Sequence, residues 1–359
     1  MDNRDIIAPL SNAIKDWLKP DNTTLKKAID RTVDESLFSF EDVKHRILSL
    51  RESLNTESLQ QWAEISGLIQ NSACGKSILC LHAGNLPMVG IQDLLAVIMT
   101  GGRYVGKFSK KDPYLLETLI DKLKEHRIGA DYQYEINIDK LSGISADAVL
   151  FSGSKSSVEV VKHKLSSLGI TNQVTPLLIR TAHFSVAWIH DQYPTTMERL
   201  IDAILRYGGK GCRSVAVVVA PFSITSNRCN ITDYFESFWA KYPQNEKPPK
   251  SLYHHYAMNK AVGISQVWLD DFLVEEELRI PDKKFVLQWV EGGEEELRKI
   301  VKMSKGGLQS IYSTDRYIDT EIDNRVIEPL DKAQNPPIWW RPDNINSIVW
   351  LQNQFVSET

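Results

Sequence analysis

The sequence predicts an α/β protein in which a helical N-terminal segment precedes a parallel, doubly wound sheet. Two observations predict this fold class. Short apolar runs, SILCLHAG (77–84), RYVGKFS (103–109) and ADAVLFSGS (146–154), alternate with segments whose apolar residues recur at helical spacing. Strands that are apolar along their whole length and are separated by helices are typical of parallel sheets covered on both faces.

The first 72 residues predict helices that pack on the rest of the chain. Apolar residues recur at helical spacing in three consecutive segments, 23–38, 39–54 and 57–69. Ser39 and Asn55 are residues of the types that cap helix N-termini.

Helices and strands alternate from residue 77 onward. Helices are predicted over the segments 90–102, 113–126 and 155–169, and one or two further strands over 176–189. Beyond the strand-like run 215–220, segments with the same two periodicities predict a second α/β unit: 232–242, 265–278 and 291–306.

Composition indicates an ordinary globular protein. The chain has 359 residues, 42% hydrophobic and 25% charged, with a formal net charge of −4, which fits one large or two medium domains. Its mild acidity argues against general nucleic-acid binding. Four cysteines without a CxxC spacing predict neither a disulfide framework nor a metal site. The sequence shows neither the apolar segment of a signal peptide nor an apolar run of membrane-spanning length, which predicts a cytoplasmic protein.

Cys212 lies in RYGGKGCRSVAVVVAP (206–221), between a glycine-rich approach and a strand. The glycines predict a flexible approach that brings backbone N–H groups close to a bound substrate. Lys210 and Arg213 flank the thiol, and neighbouring cations favour the thiolate, which is the nucleophile. The alternative for Cys212 is a buried, small apolar side chain, and that role is assigned to the other three cysteines.

Three predicted strand ends carry polar residues, and parallel sheets bind ligands at the carboxyl ends of their strands. Asn85 follows the first strand, and Lys107, Ser109 and Lys110 follow the second. Gly153 and Ser154 lie in FSGSKSS (151–157), where a strand turns into a helix and backbone N–H groups are available to a phosphate. A solvated turn is the alternative at each end. No GxGxxG fingerprint is present.

These motifs in this order resemble the aldehyde dehydrogenase superfamily. They are Asn-x-Pro, Lys-x-Ser, Phe-Ser-Gly-Ser and Gly-x-Gly-Cys, and within the superfamily the chain is most similar to the LuxC-type acyl-CoA reductases, also called fatty-acid reductases. The resemblance covers roughly residues 75 to 220, and more weakly GGLQSIYS (306–313) to the end.

The resemblance implies a domain organisation. It implies a Rossmann-like cofactor-binding domain over 73–190, a catalytic α/β domain over 191–345 and a C-terminal extension over 346–359, following the helical segment 1–72. It also implies contacts between copies of the chain in a homo-oligomer.

The resemblance also implies roles for the candidate residues. Cys212 corresponds to the nucleophile that forms a thioester with the substrate, and Asn85 to the amide of the oxyanion hole. Lys107 corresponds to the lysine that holds the adenosine ribose. Gly153 and Ser154 correspond to the turn that contacts the cofactor pyrophosphate.

Cofactor choice is predicted from the position three residues after Lys107. Members of the family often carry a carboxylate there, which holds the ribose hydroxyls and repels a 2′-phosphate. This chain has Lys110, preceded by Ser109, and a cation attracts the phosphate. NADPH is therefore predicted as the cofactor, with NADH as the alternative.

Two departures from the family pattern bear on the reaction. Arg180 stands where hydrolytic aldehyde dehydrogenases carry the glutamate that activates water, and the Glu-x-Phe-Gly-Pro motif is not visible. Without that base, a thioester on Cys212 persists for hydride transfer, so the resemblance implies reduction of an acyl-CoA, of fatty acyl type, to the aldehyde. A partner that transfers or activates acyl groups is expected with it.

Alternative functions and sites remain open at this stage. The chain could use Cys212 as an acyltransferase or thioesterase without hydride transfer, or be a non-catalytic relative that binds an acyl carrier. His183 is a candidate base. YHHY (253–256) is a candidate metal or proton-transfer site or part of a loop or core, and Trp188 and IWW (338–340) are candidates for an acyl tunnel or for core packing.

Overall fold

Four helices form the N-terminal segment. The structure, a computed structural model, describes residues 6–129, 131–225, 228–244, 246–304, 306–314 and 318–356, with only the backbone of 228–230. The helices are α1 Ile7–Trp17, α2 Thr23–Asp34, α3 Phe40–Ser53 and α4 Thr56–Ile65. Both predicted caps are confirmed, since the Ser39 hydroxyl accepts the Asp42 N–H at 3.1 Å and the side-chain amide oxygen of Asn55 accepts the Ser58 N–H at 2.8 Å.

A five-stranded sheet follows, and all of its strands are parallel. Its elements in chain order are β1 Ser77–Leu81, α5 Ile91–Met99, β2 Arg103–Lys107, α6 Leu115–Glu125, β3 Tyr132–Glu135, β4 Ala148–Ser152, α7 Val158–Ser167 and β5 Leu177–Arg180. The strand order is β3-β2-β1-β4-β5, so the winding reverses between β1 and β4. The predicted parallel, doubly wound sheet is confirmed. The carboxyl ends of β1 and β4 flank the crevice at which such sheets bind ligands.

A second sheet of eight strands and the helices that connect them account for most of the remaining chain. Its elements are β6 Phe184–Trp188, α8 Pro194–Leu205, β7 Val215–Ala220, α9 Arg228–Lys241, α10 Lys250–Ala261, β8 Gln266–Leu269, β9 Phe272–Glu275, β10 Val286–Glu291, α11 Glu294–Met303, β11 Leu308–Ser313, β12 Glu321–Ile322 and β13 Arg325–Pro329. The order is β12-β13-β11-β6-β7-β10-β9-β8, antiparallel only at the β12–β13 and β8–β9 pairs. A last helix, α12, spans Ser347–Phe355.

The chain forms two compact units, and the first is discontinuous. One unit comprises the chain up to Thr181 together with the chain from Pro337, and the other is Ala182–Pro336. The sequence predicts the boundary between the cofactor-binding domain and the catalytic domain at residue 190 instead. The observed boundary lies earlier because β6 pairs with β7 and β11, although β5 and β6 follow one another within a single apolar run. The C-terminal segment also belongs to the first unit instead of forming a separate extension.

The N-terminal helices share the core of the first unit. Trp17 of α1 is fully buried, and its indole N–H donates to the Thr118 hydroxyl of α6 at 2.8 Å. In the described part of the chain, every helix is too short or too polar to cross a lipid bilayer.

A buried ion pair joins three elements of the first unit. The Arg180 guanidinium at the end of β5 donates to the two carboxylate oxygens of Asp93 on α5, at 2.8 and 3.3 Å. The Ser347 hydroxyl at the start of α12 accepts from Arg180 at 3.0 Å and lies 3.2 Å from Asp93. Arg180 and Asp93 are 6% and 4% exposed, so both charges are compensated inside the protein.

We expect Asp93→Ala to lower the free energy of unfolding by about 3 to 5 kcal/mol, because it leaves the Arg180 charge buried without its counter-ion. Urea unfolding followed by circular dichroism measures the loss. The control is Glu159→Ala, which removes an ion pair between exposed Glu159 and Lys162 and should cost less than about 1 kcal/mol. Equal losses for the two variants would contradict the structural role of Asp93.

Candidate active site

The approach to Cys212 is a fixed turn. Helix α8 ends at Leu205, and the next residues include Tyr207, Gly208 and Gly209 with φ of 58°, 67° and 68°. A Cβ atom at Gly209 would lie 3.1 Å from the carbonyl oxygen of Ile204. The glycines are therefore required by left-handed backbone and close packing, and the predicted flexible approach is not what the structure shows.

Hydrogen bonds hold the backbone on either side of the thiol. The Ser185 hydroxyl on β6 donates to the Cys212 carbonyl oxygen at 2.9 Å. The Ser214 hydroxyl accepts the Gly211 N–H at 3.2 Å, and the Ser214 N–H donates to the Gly211 carbonyl at 3.0 Å. Cys212 is half-buried between two buried residues, so its side chain is accessible while hydrogen bonds hold the backbone beside it.

The two cations beside Cys212 have different surroundings. The Lys210 ammonium lies 2.7 Å from the carboxylate of Glu246, and this hydrogen bond lowers the pKa of Glu246. Lys210 is thus ion-paired with a carboxylate, and its predicted effect on the thiol stays a prediction. Arg213 is 7% exposed.

Tyr312 shares the electrostatic surroundings of Cys212. Burial raises the pKa of the Tyr312 hydroxyl well above its usual range, and the Glu328 carboxylate and the Cys212 thiol act in the same direction. Arg213 opposes them. The Cys212 thiol and the Arg213 guanidinium therefore both lie close enough to Tyr312 to act on its hydroxyl.

Asn85 lies in the loop after β1, and this loop contacts the loop after β2. A Cβ atom at Gly84 would lie 2.0 Å from the hydroxyl oxygen of Ser109, so only glycine permits this approach. The Asn85 side chain is half-buried, whereas Leu86 and Met88 beyond it are covered. The candidate oxyanion-hole residue is therefore carried by a loop packed directly on the Lys-x-Ser motif.

Asp112 ties the same two loops together by a hydrogen bond. Its carboxylate accepts the Met88 N–H at 2.5 Å, and Asp112 is 7% exposed. Burial raises the pKa of Asp112 to about 7, while the Met88 N–H and the Arg46 charge act to lower it. Sequence reasoning missed this residue. The only signal was an aspartate next to a proline at a strand-to-helix turn.

Cations lie at the carboxyl end of β2. Burial and the neighbouring charge of Lys110 lower the pKa of Lys107. Lys110 and Lys111 are exposed. Among the described side chains, no carboxylate lies within ion-pair distance of these three lysines, so the edge is suited to an anionic ligand.

The turn after β4 supplies hydroxyl groups and backbone donors. The backbone N–H of Gly153 donates to the Arg180 carbonyl at 3.2 Å. The sequence predicts that this N–H is available to a phosphate, but it already has an acceptor. Ser154 is exposed, and its hydroxyl lies 3.0 Å from that of Ser156. Residues 155–157 form a 3-10 turn that leads into α7, and the first N–H groups of such a turn have no acceptor within it.

The structure brings the first-unit candidates to one edge of one sheet. Lys107 is the last residue of β2, and the others follow the carboxyl ends of β1, β2 or β4: Asn85, Ser109, Lys110 and Ser154. Cys212 belongs to the second unit, ahead of the amino end of β7.

The remaining candidates have other surroundings. Trp188 is buried in the second unit's core, and Trp339 packs against the core of the first. The His183 side chain is exposed, and the backbone N–H of His183 donates to the Gly307 carbonyl. All four residues of YHHY lie in helix α10 instead of a loop, and there His255 lies 2.5 Å from the buried carboxylate of Glu275. Within the described ranges, no three His, Cys, Asp or Glu side chains are grouped to hold a metal ion.

Comparison with solved structures identifies the fold. Aldehyde dehydrogenase 21 from Physcomitrella patens, in complex with the reaction product succinate, superposes with a TM-score of 0.63 at 12% identity, over 99% of this chain and 85% of that chain. The chain has an aldehyde dehydrogenase fold.

Further structures with the aldehyde dehydrogenase fold agree. A candidate methylmalonate-semialdehyde dehydrogenase from Sinorhizobium meliloti, complexed with NAD, gives a TM-score of 0.55 at 13% identity, over 87% of this chain and 76% of that chain. The indole-3-acetaldehyde dehydrogenase AldA from P. syringae, a variant bound to NAD+, gives 0.50 at 13% identity, over 88% and 77%. No protein-family model and no curated protein matches the sequence.

The raised pKa of Asp112 predicts a pH dependence of stability. Its ordinary value is 3.8, and in the folded protein it is about 7, so folding favours the neutral carboxyl. This stabilisation is complete below the ordinary value and is lost as the pH rises through about 7. We expect the stability of the wild type relative to Asp112→Asn to fall by about 2 to 3 kcal/mol between about pH 5 and pH 8.

Urea unfolding of both proteins at several pH values measures this difference. Asp34→Asn, at an exposed position, is the control and should give a difference that varies little with pH. A pH-independent difference for Asp112→Asn would contradict a buried, neutral carboxyl.

Proposed function

We propose that this protein is an NADPH-dependent acyl-CoA reductase, which converts a fatty acyl thioester to the aldehyde through an acyl group on Cys212. One observation carries the proposal: an aldehyde dehydrogenase fold presents a reachable cysteine on a hydrogen-bonded, left-handed turn, at the place that the motif order assigns to the nucleophile. An oxidoreductase acting on aldehydes is the coarser form of the same proposal.

The reaction begins at the thiol. The Cys212 thiolate attacks the carbonyl carbon of the acyl-CoA, the carbon–sulfur bond to CoA breaks, and CoA leaves as the thiol after taking up a proton. Asn85 is proposed to donate its side-chain N–H to the oxyanion that develops on the carbonyl oxygen. A donor of this kind commonly contributes about 3 to 4 kcal/mol.

The second half of the reaction releases the aldehyde. When bound, a reduced nicotinamide would supply the hydride that the acyl carbon on Cys212 accepts. The resulting thiohemiacetal on Cys212 collapses, the carbon–sulfur bond breaks, and the aldehyde leaves as the thiolate returns. The net reaction consumes one acyl-CoA, one NADPH and one proton, and gives aldehyde, CoA and NADP+.

The position of Arg180 supports reduction over hydrolysis. Where a water-activating glutamate would stand, the chain has a guanidinium that is 6% exposed and paired with Asp93. A buried cation in an ion pair cannot act as a general base, so this position offers no route for water to attack the acyl group.

The groups at the carboxyl ends of β2 and β4 support a phosphate-bearing cofactor. Burial and the charge of Lys110 lower the pKa of Lys107, and among the described residues neither lysine has a carboxylate within ion-pair distance. The Ser154–Ser157 turn offers hydroxyl groups. The residues present thus fit the ribose, the 2′-phosphate and the pyrophosphate. NADPH is favoured because Lys110 attracts the phosphate that distinguishes it from NADH.

Cys212→Ala tests the nucleophile. The variant should retain NADPH binding but lose both the hydroxylamine-sensitive acyl adduct and NADPH oxidation with acyl-CoA. Mass spectrometry and absorbance at about 340 nm measure the two losses, and Cys74→Ala, at an exposed cysteine, is the control with near-normal rates.

The outcomes separate the rival functions. An adduct that persists in Cys212→Ala contradicts the nucleophile. A wild-type adduct without NADPH oxidation indicates an acyltransferase or thioesterase. A wild type that forms no adduct and binds no nicotinamide indicates the non-catalytic relative.

Lys110→Glu tests the cofactor. The substitution should weaken NADPH binding at least about tenfold and leave NADH binding unchanged or stronger, because a carboxylate repels the 2′-phosphate and accepts ribose hydroxyls. Fluorescence titration with both cofactors measures this, and Lys111→Glu, at the adjacent exposed lysine, controls for the change in net charge. Equal losses of NADH and NADPH binding would leave Lys110 as a residue of a solvated turn.

A further inference from the structure

We propose that Asp112 is a positioning residue that joins the loop carrying Asn85 to the loop carrying Lys110, so that a phosphate bound at Lys110 fixes the oxyanion donor. The inference rests on the proposed function and adds a coupling between the cofactor edge and the acylation step. Asp112 itself contacts neither substrate nor cofactor in this proposal.

The first support is the direct contact of the two loops. Gly84, next to Asn85, approaches Ser109 so closely that a Cβ atom at Gly84 would lie 2.0 Å from the Ser109 hydroxyl and 3.0 Å from the Lys111 Cβ. A displacement of either loop toward the other therefore moves both, because close-packed atoms transmit displacement.

The second support is the hydrogen bond that Asp112 makes across the loops. Its carboxylate accepts the N–H of Met88, which is 0% exposed and has a left-handed φ of 54°. The Met88 carbonyl in turn accepts the Ile91 N–H at the start of α5. Asp112 thus fixes the far end of the Asn85 loop where it enters a helix.

The third support is the organisation of the Lys110 loop around the same aspartate. The Asp112 N–H donates to the Ser109 carbonyl at 3.1 Å, and the Lys111 N–H donates to the Ser109 hydroxyl at 3.2 Å. Lys110 is thereby held within one turn whose last residue is Asp112. A phosphate that orders Lys110 orders this turn, and through Asp112 it orders the Asn85 loop.

The test measures acylation of Cys212 by acyl-CoA in the full chain, with and without 2′,5′-ADP. This probe carries the phosphate and the adenosine but has no nicotinamide, so it cannot donate hydride. We expect 2′,5′-ADP to accelerate wild-type acylation about fivefold through the rate constant and not through KM.

Asp112→Ala should acylate more slowly and lose the acceleration. Asp112→Asn should retain it, because the amide oxygen can still accept the Met88 N–H. Asp112→Ser, polar but too short to reach Met88, is the second variant should the alanine protein fail to fold. In the background of Asn85→Ala, Asp112→Ala should have no further effect on acylation.

Asp147→Ala is the matched control. Asp147 also accepts a backbone N–H, that of Ser77 at 2.8 Å, but at the amino end of β1, so its loss should leave acylation and acceleration unchanged. Acceleration that survives in Asp112→Ala, or that is lost equally in Asp147→Ala, overturns the inference, as does a wild type that 2′,5′-ADP does not accelerate. A wild type that acyl-CoA does not acylate overturns the proposed function instead.

Discussion

The buried ion pair of Asp93 and Arg180 is the constraint on which the first unit depends. Moving a guanidinium and a carboxylate out of water costs several kcal/mol each, and good geometry with further hydrogen bonds must offset that cost. Here the two groups meet through two hydrogen bonds, and Ser347 joins them. Helix α5, strand β5 and helix α12 are thereby held in one arrangement, and α5 begins only three residues after Met88, the end of the Asn85 loop that Asp112 fixes.

The arrangement of the first sheet concentrates polar groups at one edge. All its strands are parallel, so each strand delivers its following loop to the same end, and the reversal between β1 and β4 separates the helices that would otherwise cover that end. The buried core around this sheet is mostly apolar, with the Asp93–Arg180 pair as a compensated exception, so polar side chains such as Asn85, Lys107 and Ser154 occur where the strands end and burial is incomplete.

Features set by local sequence could be predicted, and features set by distant contacts could not. The caps Ser39 and Asn55 bond to residues three positions away, so the sequence contains all the information they need. Asp112 looks like a surface turn residue because its partner, Met88, lies on another loop. Arg180 could be recognised as a departure from a family pattern, but its pairing with Asp93 and Ser347 depends on the assembled fold.

The discontinuity of the first unit bears on how the chain folds during synthesis. Its sheet and its N-terminal helices precede the second unit in the chain, yet its core also includes Ile348 and Leu351 of α12, which are synthesised after that unit. Until they emerge, Arg180 and Asp93 lack Ser347, and the surface that α12 covers is open to water or to other chains. The second unit is continuous in sequence and needs no later segment. The chain of the second unit is therefore complete before that of the first, although the first unit begins earlier in the sequence.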